Sequence, residues 1–221
     1  MRSTIITRLT HPGIIAVVRT DHPRQVPLIC DALLAGGVSA IEITFTVPNA
    51  LEVIRDACRA FGSRALIGAG TVLNAQLAHA AVAAGAQFLV SPITRREIVE
   101  VAHAADIPVM LGAYTPTEAQ TAHEAGADFI KLFPADKLGP GYVKALRAPL
   151  PHLQIVPTGG VDLQSATDFL KAGCAALGVG GSLLTAEILG TDNWVELTRL
   201  AKAFVQLSEQ FRRSSSSATA A

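Results

Sequence analysis

One lysine stands in uniformly apolar surroundings and is the first candidate for chemistry. Lys131 lies in the run Phe129-Ile130-Lys131-Leu132-Phe133, whereas the other four lysines fall on predicted helices or a loop. Alternate side chains of a barrel strand point inward, so Phe129, Lys131 and Phe133 share the interior side. Burial disfavours the charged form of an amine, and a neutral amine can attack a ketone to form a Schiff base. Lys131 is thus a candidate nucleophile; the alternative is a lysine that only pairs with a carboxylate inside the fold.

A carboxylate occupies the equivalent place in a second apolar run, Ile41-Glu42-Ile43-Thr44-Phe45. The isoleucines suit the side that faces helices, which sends Glu42 and Thr44 inward. An interior carboxylate costs several kcal/mol unless it is paired or hydrogen-bonded. Its place near the carboxyl end of a strand, the catalytic face of a parallel barrel, favours a role in proton transfer. The alternative is a structural salt bridge.

Two glycine-rich segments, one around Gly159-Gly160 and one around Gly180-Gly181, predict a phosphate site. Glycines let backbone N–H groups approach an anion closely, and a short helix starting at Gly181-Ser182 is expected to add its dipole. Loops after the seventh and eighth strands are the usual phosphate site of a parallel barrel. Each segment alone could be only a tight turn; the candidate residues are Thr158, Gly159, Gly160, Gly180, Gly181 and Ser182.

A carboxylate-binding pair is predicted at the same end of the barrel. Arg19 ends the first predicted strand and Thr71 follows the third, so a guanidinium and a hydroxyl could hold a substrate carboxylate. Arg19 could equally be a surface residue. The six histidines form no i, i+4 pair and most fall on helices or loops, so neither a metal nor a cofactor is expected.

Alternating β-branched runs and Ala- and Leu-rich amphipathic stretches predict βα units around a parallel sheet. Eight units in 221 residues favour a single (β/α)8 TIM barrel over a six-stranded open sheet. The predicted strands are Gly13–Arg19, Ala40–Phe45, Ala65–Ala69, Gln87–Ser91, Pro108–Leu111, Phe129–Leu132, Gln154–Pro157 and Ala175–Val179.

Helices are predicted near 23–35, 48–61, 74–84, 94–105, 116–125, 139–147, 163–172 and 192–212. Four Ala-Gly pairs, ending at Gly36, Gly85, Gly126 and Gly173, mark the ends of alternate helices, where glycine supplies the left-handed conformation that stops a helix. The barrel is assigned to residues 1–212, and the polar, low-complexity residues 213–221 are expected to form a mobile extension.

The composition excludes several classes of partner. Eighteen basic residues balance eighteen acidic ones, which supplies no field to gather nucleic acid or an anionic membrane surface. The longest stretch without charged residues is broken by polar residues, proline and glycine, so it cannot span a bilayer as a helix. Three scattered cysteines, Cys30, Cys58 and Cys174, indicate reduced thiols in a cytoplasmic protein.

Over nearly its whole folded length the chain resembles the Schiff-base aldolases that cleave 2-keto-3-deoxy-6-phosphogluconate and 4-hydroxy-2-oxoglutarate. The matching segments are Ile41-Glu42-Ile43-Thr44, Gly68-Ala69-Gly70-Thr71-Val72-Leu73, Ser91-Pro92, Lys131-Leu132-Phe133-Pro134-Ala135 and Pro157-Thr158-Gly159-Gly160-Val161.

This resemblance implies that Lys131 forms the imine and that Glu42 shuttles protons. It also implies that Thr71 helps to hold the pyruvate carboxylate, that Phe133 and Pro92 line the pocket, and that the protein is a homotrimer. Many relatives carry an arginine where this chain has Thr46, while others have one that ends the first strand, so the carboxylate role passes to Arg19.

The expected substrate is therefore a phosphorylated 2-keto acid. The sequence leaves open the galactonate epimer of that acid and the unphosphorylated 4-hydroxy-2-oxoglutarate. A phosphate-binding barrel isomerase or synthase, with Glu42 as base and no Schiff base, is a second possibility. A barrel that binds a phosphorylated acid without catalysis is a third, although a buried Lys–Glu pair is costly for a scaffold.

Overall fold

Eight parallel strands form the centre of the computed structural model, which describes the backbone of residues 1–219 and the side chains of residues 1–214. The strands are β1 (Ile14–Val18), β2 (Ala40–Thr44), β3 (Leu66–Gly70), β4 (Leu89–Val90), β5 (Val109–Ala113), β6 (Phe129–Leu132), β7 (Ile155–Pro157) and β8 (Leu177–Val179). The ends of every strand fall within two residues of the predicted bounds, and β4 is the shorter core of the segment predicted from Gln87 to Ser91.

The strands follow one another around a barrel. Their order is β7-β6-β5-β4-β3-β2-β1-β8, and β1 pairs in parallel with both β2 and β8. A bridge between Thr158 and Gly178 joins the β7 side to β8 and brings the two ends of the sheet together. The predicted (β/α)8 barrel is therefore confirmed, and the open sheet is excluded.

Ten helices surround the described part of the barrel. They are α1 (Arg2–Thr10), α2 (Val26–Ala35), α3 (Ala50–Phe61), α4 (Ala75–Ala83), α5 (Arg96–Ala104), α6 (Pro116–Glu124), α7 (Gly139–Arg147), α8 (Ala166–Lys171), α9 (Ala186–Thr191) and α10 (Trp194–Thr219). A short 3-10 turn, Pro23–Gln25, leads into α2.

The first helix was not predicted. Ile5 and Leu9 of α1 are buried, while two ion pairs fix its start: the amino terminus lies 2.9 Å from Asp106 Oδ2, and Arg2 Nε lies 3.2 Å from Asp128 Oδ1. Both aspartates directly precede strands or their lead-in segments, so α1 lies against the amino-terminal end of the barrel. A nine-residue helix with two buried apolar residues depends on such tertiary contacts.

Glycines stop alternate helices, with one correction to the predicted positions. Gly85, Gly126 and Gly173 take φ values of +99°, +96° and +92°, as expected for helix ends. After α2 the left-handed residue is Gly37 at φ +88°, whereas Gly36 keeps a right-handed conformation at φ −85°. Gly36 instead allows close packing, because a Cβ there would collide with the backbone of α10.

The last helix is longer than predicted. It ends at Thr219 rather than near residue 212, so residues 213–219 continue α10. Residues 220–221 of the expected extension lie outside the described residues, and the division of the chain at residue 212 stays a prediction.

The three cysteines are free thiols; Cys30 and Cys174 are buried, and Cys58 is partly buried. Burial raises the pKa of Cys30 and Cys174 to about 12 and that of Cys58 to about 11, which disfavours the reactive thiolate. Within residues 1–219, none of the helices combines the length and apolar character that a membrane span requires.

Candidate active site

Lys131 and Glu42 meet inside the barrel from opposite sides. Glu42 lies on β2 and Lys131 on β6, four strands away in either direction around the closed sheet. Lys131 Nζ lies 3.5 Å from Glu42 Oε1, and the two side chains are only 7% and 3% exposed. The structure thus brings together an amine and a carboxylate in a setting with little water, where an unpaired charge would be costly.

A gap in β3 makes room for the Glu42 carboxylate. A Cβ at Gly70 would collide with Oε1, Cδ and Cγ of Glu42, and one at Gly68 would collide with the Phe88 ring. Gly70 does not need glycine for its backbone angle, since its φ lies outside the left-handed region. The requirement at this position is therefore space for the carboxylate. Sequence analysis missed this role, although glycines two apart on one strand face were a signal of a close approach.

Phe133 borders the amine on the side of the barrel mouth. Lys131 Nζ lies 5.3 Å from the centroid of the Phe133 ring, within cation–π range. The ring is partly exposed and lines two cavities that lie on either side of it. Phe133 therefore separates the buried amine from the open end of the barrel.

The larger cavity next to Phe133, of about 410 Å³, contains both glycine-rich segments. Its lining includes all six residues predicted to bind phosphate: Thr158, Gly159, Gly160, Gly180, Gly181 and Ser182. Gly159 and Gly160 take φ values of +89° and +72°, which only glycine adopts at little cost. Among the described residues, the N–H groups of Gly160, Gly181 and Ser182 make no hydrogen bond to the protein. Such unpaired N–H groups around a cavity suit an anion.

The helix predicted at Gly181-Ser182 is wrong. Leu183 and Leu184 N–H groups both donate to the Gly180 carbonyl at 2.9 Å, which forms a turn, and α9 begins only at Ala186. Leu184 and Thr185 thus separate the turn from the helix. The anion-binding character of this loop depends on its N–H groups and not on a helix dipole there.

The predicted carboxylate pair of Arg19 and Thr71 stays a prediction, because the two residues follow different strands, β1 and β3. Arg19 follows β1 and lines the cavity with the glycine-rich segments, whereas Thr71 is absent from the lining of that cavity. The Arg19 guanidinium has no ion pair or hydrogen bond among the described side chains and is free to receive an anion. Thr71 has φ +60°, a left-handed conformation that is strained for a β-branched residue.

Pro92 lies on the other side of Phe133, in a second cavity of about 340 Å³ that Ile93 and Tyr114 also line. Thr46, at the place where many relatives carry arginine, is exposed and lies 2.7 Å from the Thr44 hydroxyl. Thr44 in turn donates to the Val18 carbonyl. The hydrogen-bonded hydroxyls of Thr44 and Thr46 therefore lie where many relatives carry a cationic side chain.

The described residues contain no group of three histidine, cysteine or acidic side chains placed to hold a metal ion.

Comparisons with known proteins show the family of the chain. The family model described as KDPG and KHG aldolase matches residues 5–200. The 2-dehydro-3-deoxy-6-phosphogalactonate aldolase of Escherichia coli is 37% identical over 78% of this chain and 85% of that protein. The 2-dehydro-3-deoxy-phosphogluconate aldolase of Pseudomonas aeruginosa is 33% identical over 90% of this chain and 91% of its own.

A solved structure extends the likeness to three dimensions. The KDPG aldolase of Legionella pneumophila, with pyruvate captured as a covalent carbinolamine intermediate, superposes with a TM-score of 0.83. It is 28% identical, and the match covers 90% of this chain and 97% of that one. A family model that spans the whole barrel, with relatives of more than 30% identity along most of it, shows that the chain belongs to the KDPG and KHG aldolase family.

Proposed function

We propose that this protein cleaves 2-keto-3-deoxy-6-phosphogluconate to pyruvate and glyceraldehyde 3-phosphate through a Schiff base on Lys131. One observation carries the proposal: the buried Lys131 amine faces the Glu42 carboxylate at 3.5 Å, and the Phe133 ring beside that amine also lines the cavity with both glycine-rich segments. An amine for the keto group and an anion site for the phosphate thus both adjoin Phe133.

The reaction begins when the neutral Lys131 amine attacks the C2 carbonyl of the substrate. The carbinolamine loses water and gives an iminium ion, which is an electron sink. A base then removes the C4 hydroxyl proton, the C3–C4 bond breaks, and its electrons form an enamine as the aldehyde departs. Protonation of the enamine and hydrolysis of the imine release pyruvate and restore the amine.

Glu42 is the proposed carrier of the protons in these steps. Its carboxylate is the acidic group that faces Lys131, so it can act on the attacking amine and, directly or through one water, on the C4 hydroxyl. Burial keeps competing water away from the pair.

The phosphate is proposed to bind in the larger cavity, to the N–H groups of Gly160, Gly181 and Ser182 and to Arg19. This assignment changes the expected role of Arg19, because its guanidinium shares a cavity with those loops and not with Thr71. Thr71 remains the proposed ligand of the pyruvate carboxylate, with Pro92 and Phe133 as pocket walls. Binding energy at the remote phosphate can orient the reacting carbons.

The galactonate epimer is the second candidate substrate. The Escherichia coli relative named for that epimer shares 37% identity with this chain, against 33% for the Pseudomonas aeruginosa relative named for the gluconate. The longer match to the latter, over 90% of this chain, supports the gluconate as the first candidate. Cleavage of 4-hydroxy-2-oxoglutarate to pyruvate and glyoxylate is proposed as a further, weaker activity.

We also propose a homotrimer that works in the cytoplasm. Leu73, Ile93 and Tyr114 are 42%, 39% and 41% exposed, and they follow the consecutive strands β3, β4 and β5. A run of exposed apolar side chains at one end of the barrel suits burial against another copy. The three free thiols suit a reducing compartment.

Borohydride reduction in the presence of pyruvate should add a stable three-carbon group at Lys131, because hydride reduces the imine to a secondary amine. Mass spectrometry of the proteolysed protein locates the adduct. Lys131→Met should take up none, whereas Lys137→Met, which changes an exposed lysine on the next loop, should be labelled like the natural chain. Activity with an unmodified Lys131 peptide would favour an isomerase or synthase without an imine.

Gly70→Ala should lower kcat about tenfold or more, with little change in KM, since the new methyl group displaces the Glu42 carboxylate. Steady-state kinetics and thermal melting measure the effect. In a Glu42→Asp background, where the carboxylate is one methylene shorter, the same change should cost little further activity. Equal losses in both backgrounds would show that Gly70 acts on the strand and not on Glu42.

Pyruvate release should be fastest, as kcat/KM, with the phosphogluconate-derived acid. The galactonate epimer should follow, and 4-hydroxy-2-oxoglutarate should be lower by about tenfold or more, because it lacks the phosphate that the cavity binds. A coupled lactate dehydrogenase assay compares the three acids side by side. A higher value for the galactonate epimer would assign the second candidate instead, and binding without pyruvate release from any of them would indicate a non-catalytic barrel.

Sedimentation equilibrium should give three times the 23.0 kDa chain mass. Ile93→Glu should lower the mass toward that of one chain, since a carboxylate would be buried in the contact. Val195→Glu is the matched control, because Val195 is an exposed aliphatic residue on α10. A single-chain mass for the unchanged protein would contradict the trimer.

A further inference from the structure

A buried glutamine links the two chain segments that border the proposed phosphate cavity. We propose that Gln25 is a positioning residue, which holds the Arg19 loop against the segment that follows β8 and so fixes the anion site. The inference rests on the proposed function for the identity of the substrate, but not for the existence of the anion site.

Every polar atom of the Gln25 side chain is used. Its Nε2 donates to the Leu189 carbonyl at 2.9 Å and to Asp192 Oδ1 at 2.7 Å, while its Oε1 accepts from the Thr20 hydroxyl at 2.7 Å. The Thr20 oxygen accepts in turn from the His22 N–H at 3.1 Å. Gln25 and Thr20 are each only 5% exposed. A buried network with all its members satisfied fixes the relative positions of the segments it joins.

The network connects parts of the chain that are far apart in sequence. Thr20 directly follows Arg19, whereas Leu189 and Asp192 lie on and just after α9, more than 160 residues later. The same α9 segment follows the turn formed by Gly180, Gly181 and Ser182. Gln25 therefore ties the loop after Arg19 to α9, the helix that follows the turn with the N–H groups.

Arg19 needs such support because its side chain borders two cavities and could point into either. Besides the cavity with the glycine-rich segments, Arg19 lines a third cavity of about 370 Å³. This third cavity lies between the Arg19 loop and α9, and Asp21 and His22 also line it. With no partner among the described side chains, the guanidinium is directed by the backbone that bears it. A shift of that loop would turn Arg19 from the anion site toward Asp21.

The test is a Gln25→Leu variant titrated with inorganic phosphate by calorimetry. We expect the dissociation constant to rise about tenfold relative to the natural chain, and KM for the phosphorylated acid to rise in parallel with little change in kcat. The yield of pyruvate trapped by borohydride should not change, because that reaction uses Lys131 and not the phosphate cavity.

Two changes at Asp192 provide a matched pair. Asp192 has φ +52°, a conformation that both asparagine and glycine accept, but only Asp192→Asn keeps an oxygen for Gln25 Nε2. Asp192→Asn should bind phosphate like the natural chain, and Asp192→Gly should bind it several-fold more weakly. If Gln25→Leu does not fold, the two Asp192 variants test the role of Gln25 instead.

Unchanged phosphate affinity in Gln25→Leu, or equal affinities in the two Asp192 variants, would overturn the inference. So would an equal loss of phosphate binding and of pyruvate trapping, since that is the result of a general structural defect. Failure of the natural chain to trap pyruvate would instead count against the Schiff base, and the phosphate titrations would still decide the role of Gln25.

Discussion

The constraint on which the site depends is the burial of an amine and a carboxylate inside one barrel. Each group alone would cost several kcal/mol in an interior with little water. Facing strands β2 and β6 place Glu42 and Lys131 3.5 Å apart, so each offsets part of the other's cost. Two neighbouring residues accommodate this pair. The absence of a side chain at Gly70 leaves space for the Glu42 carboxylate, and the Phe133 ring lies next to the Lys131 amine.

The site divides into a dry part and an open part with different tasks. In the proposed reaction, bond making belongs to the buried pair of the Lys131 amine and the Glu42 carboxyl group. Recognition of the phosphate is proposed for the cavity lined by the glycine-rich segments and Arg19. The Gln25 network joins the loop after Arg19 to α9, and its proposed role is to support that cavity.

Much of this arrangement could be predicted from the sequence, because each strand of a parallel barrel is a short apolar run with a fixed alternation. That alternation alone sends Lys131 and Glu42 inward, and the glycine-rich ends of β7 and β8 predict the phosphate cavity. What escaped prediction depends on contacts between distant segments. Helix α1 is fixed by Asp106 and Asp128, which lie about 100 residues away in the sequence.

Local rules also failed where a tertiary contact decided the conformation. The turn at Gly181 looked like a helix start, yet Leu184 and Thr185 intervene before α9. Gly36 looked like the residue that stops α2, but it is needed for its contact with α10 while Gly37 takes the left-handed angle.

A crystal structure of the protein soaked with pyruvate tests the Lys131–Glu42 assignment most directly. Electron density continuous from Lys131 Nζ to C2 of pyruvate, with a Glu42 oxygen within hydrogen-bond distance of the new bond, is the expected result. Pyruvate that binds without a bond to Lys131, or a Lys131 amine turned away from Glu42 toward solvent, would contradict it.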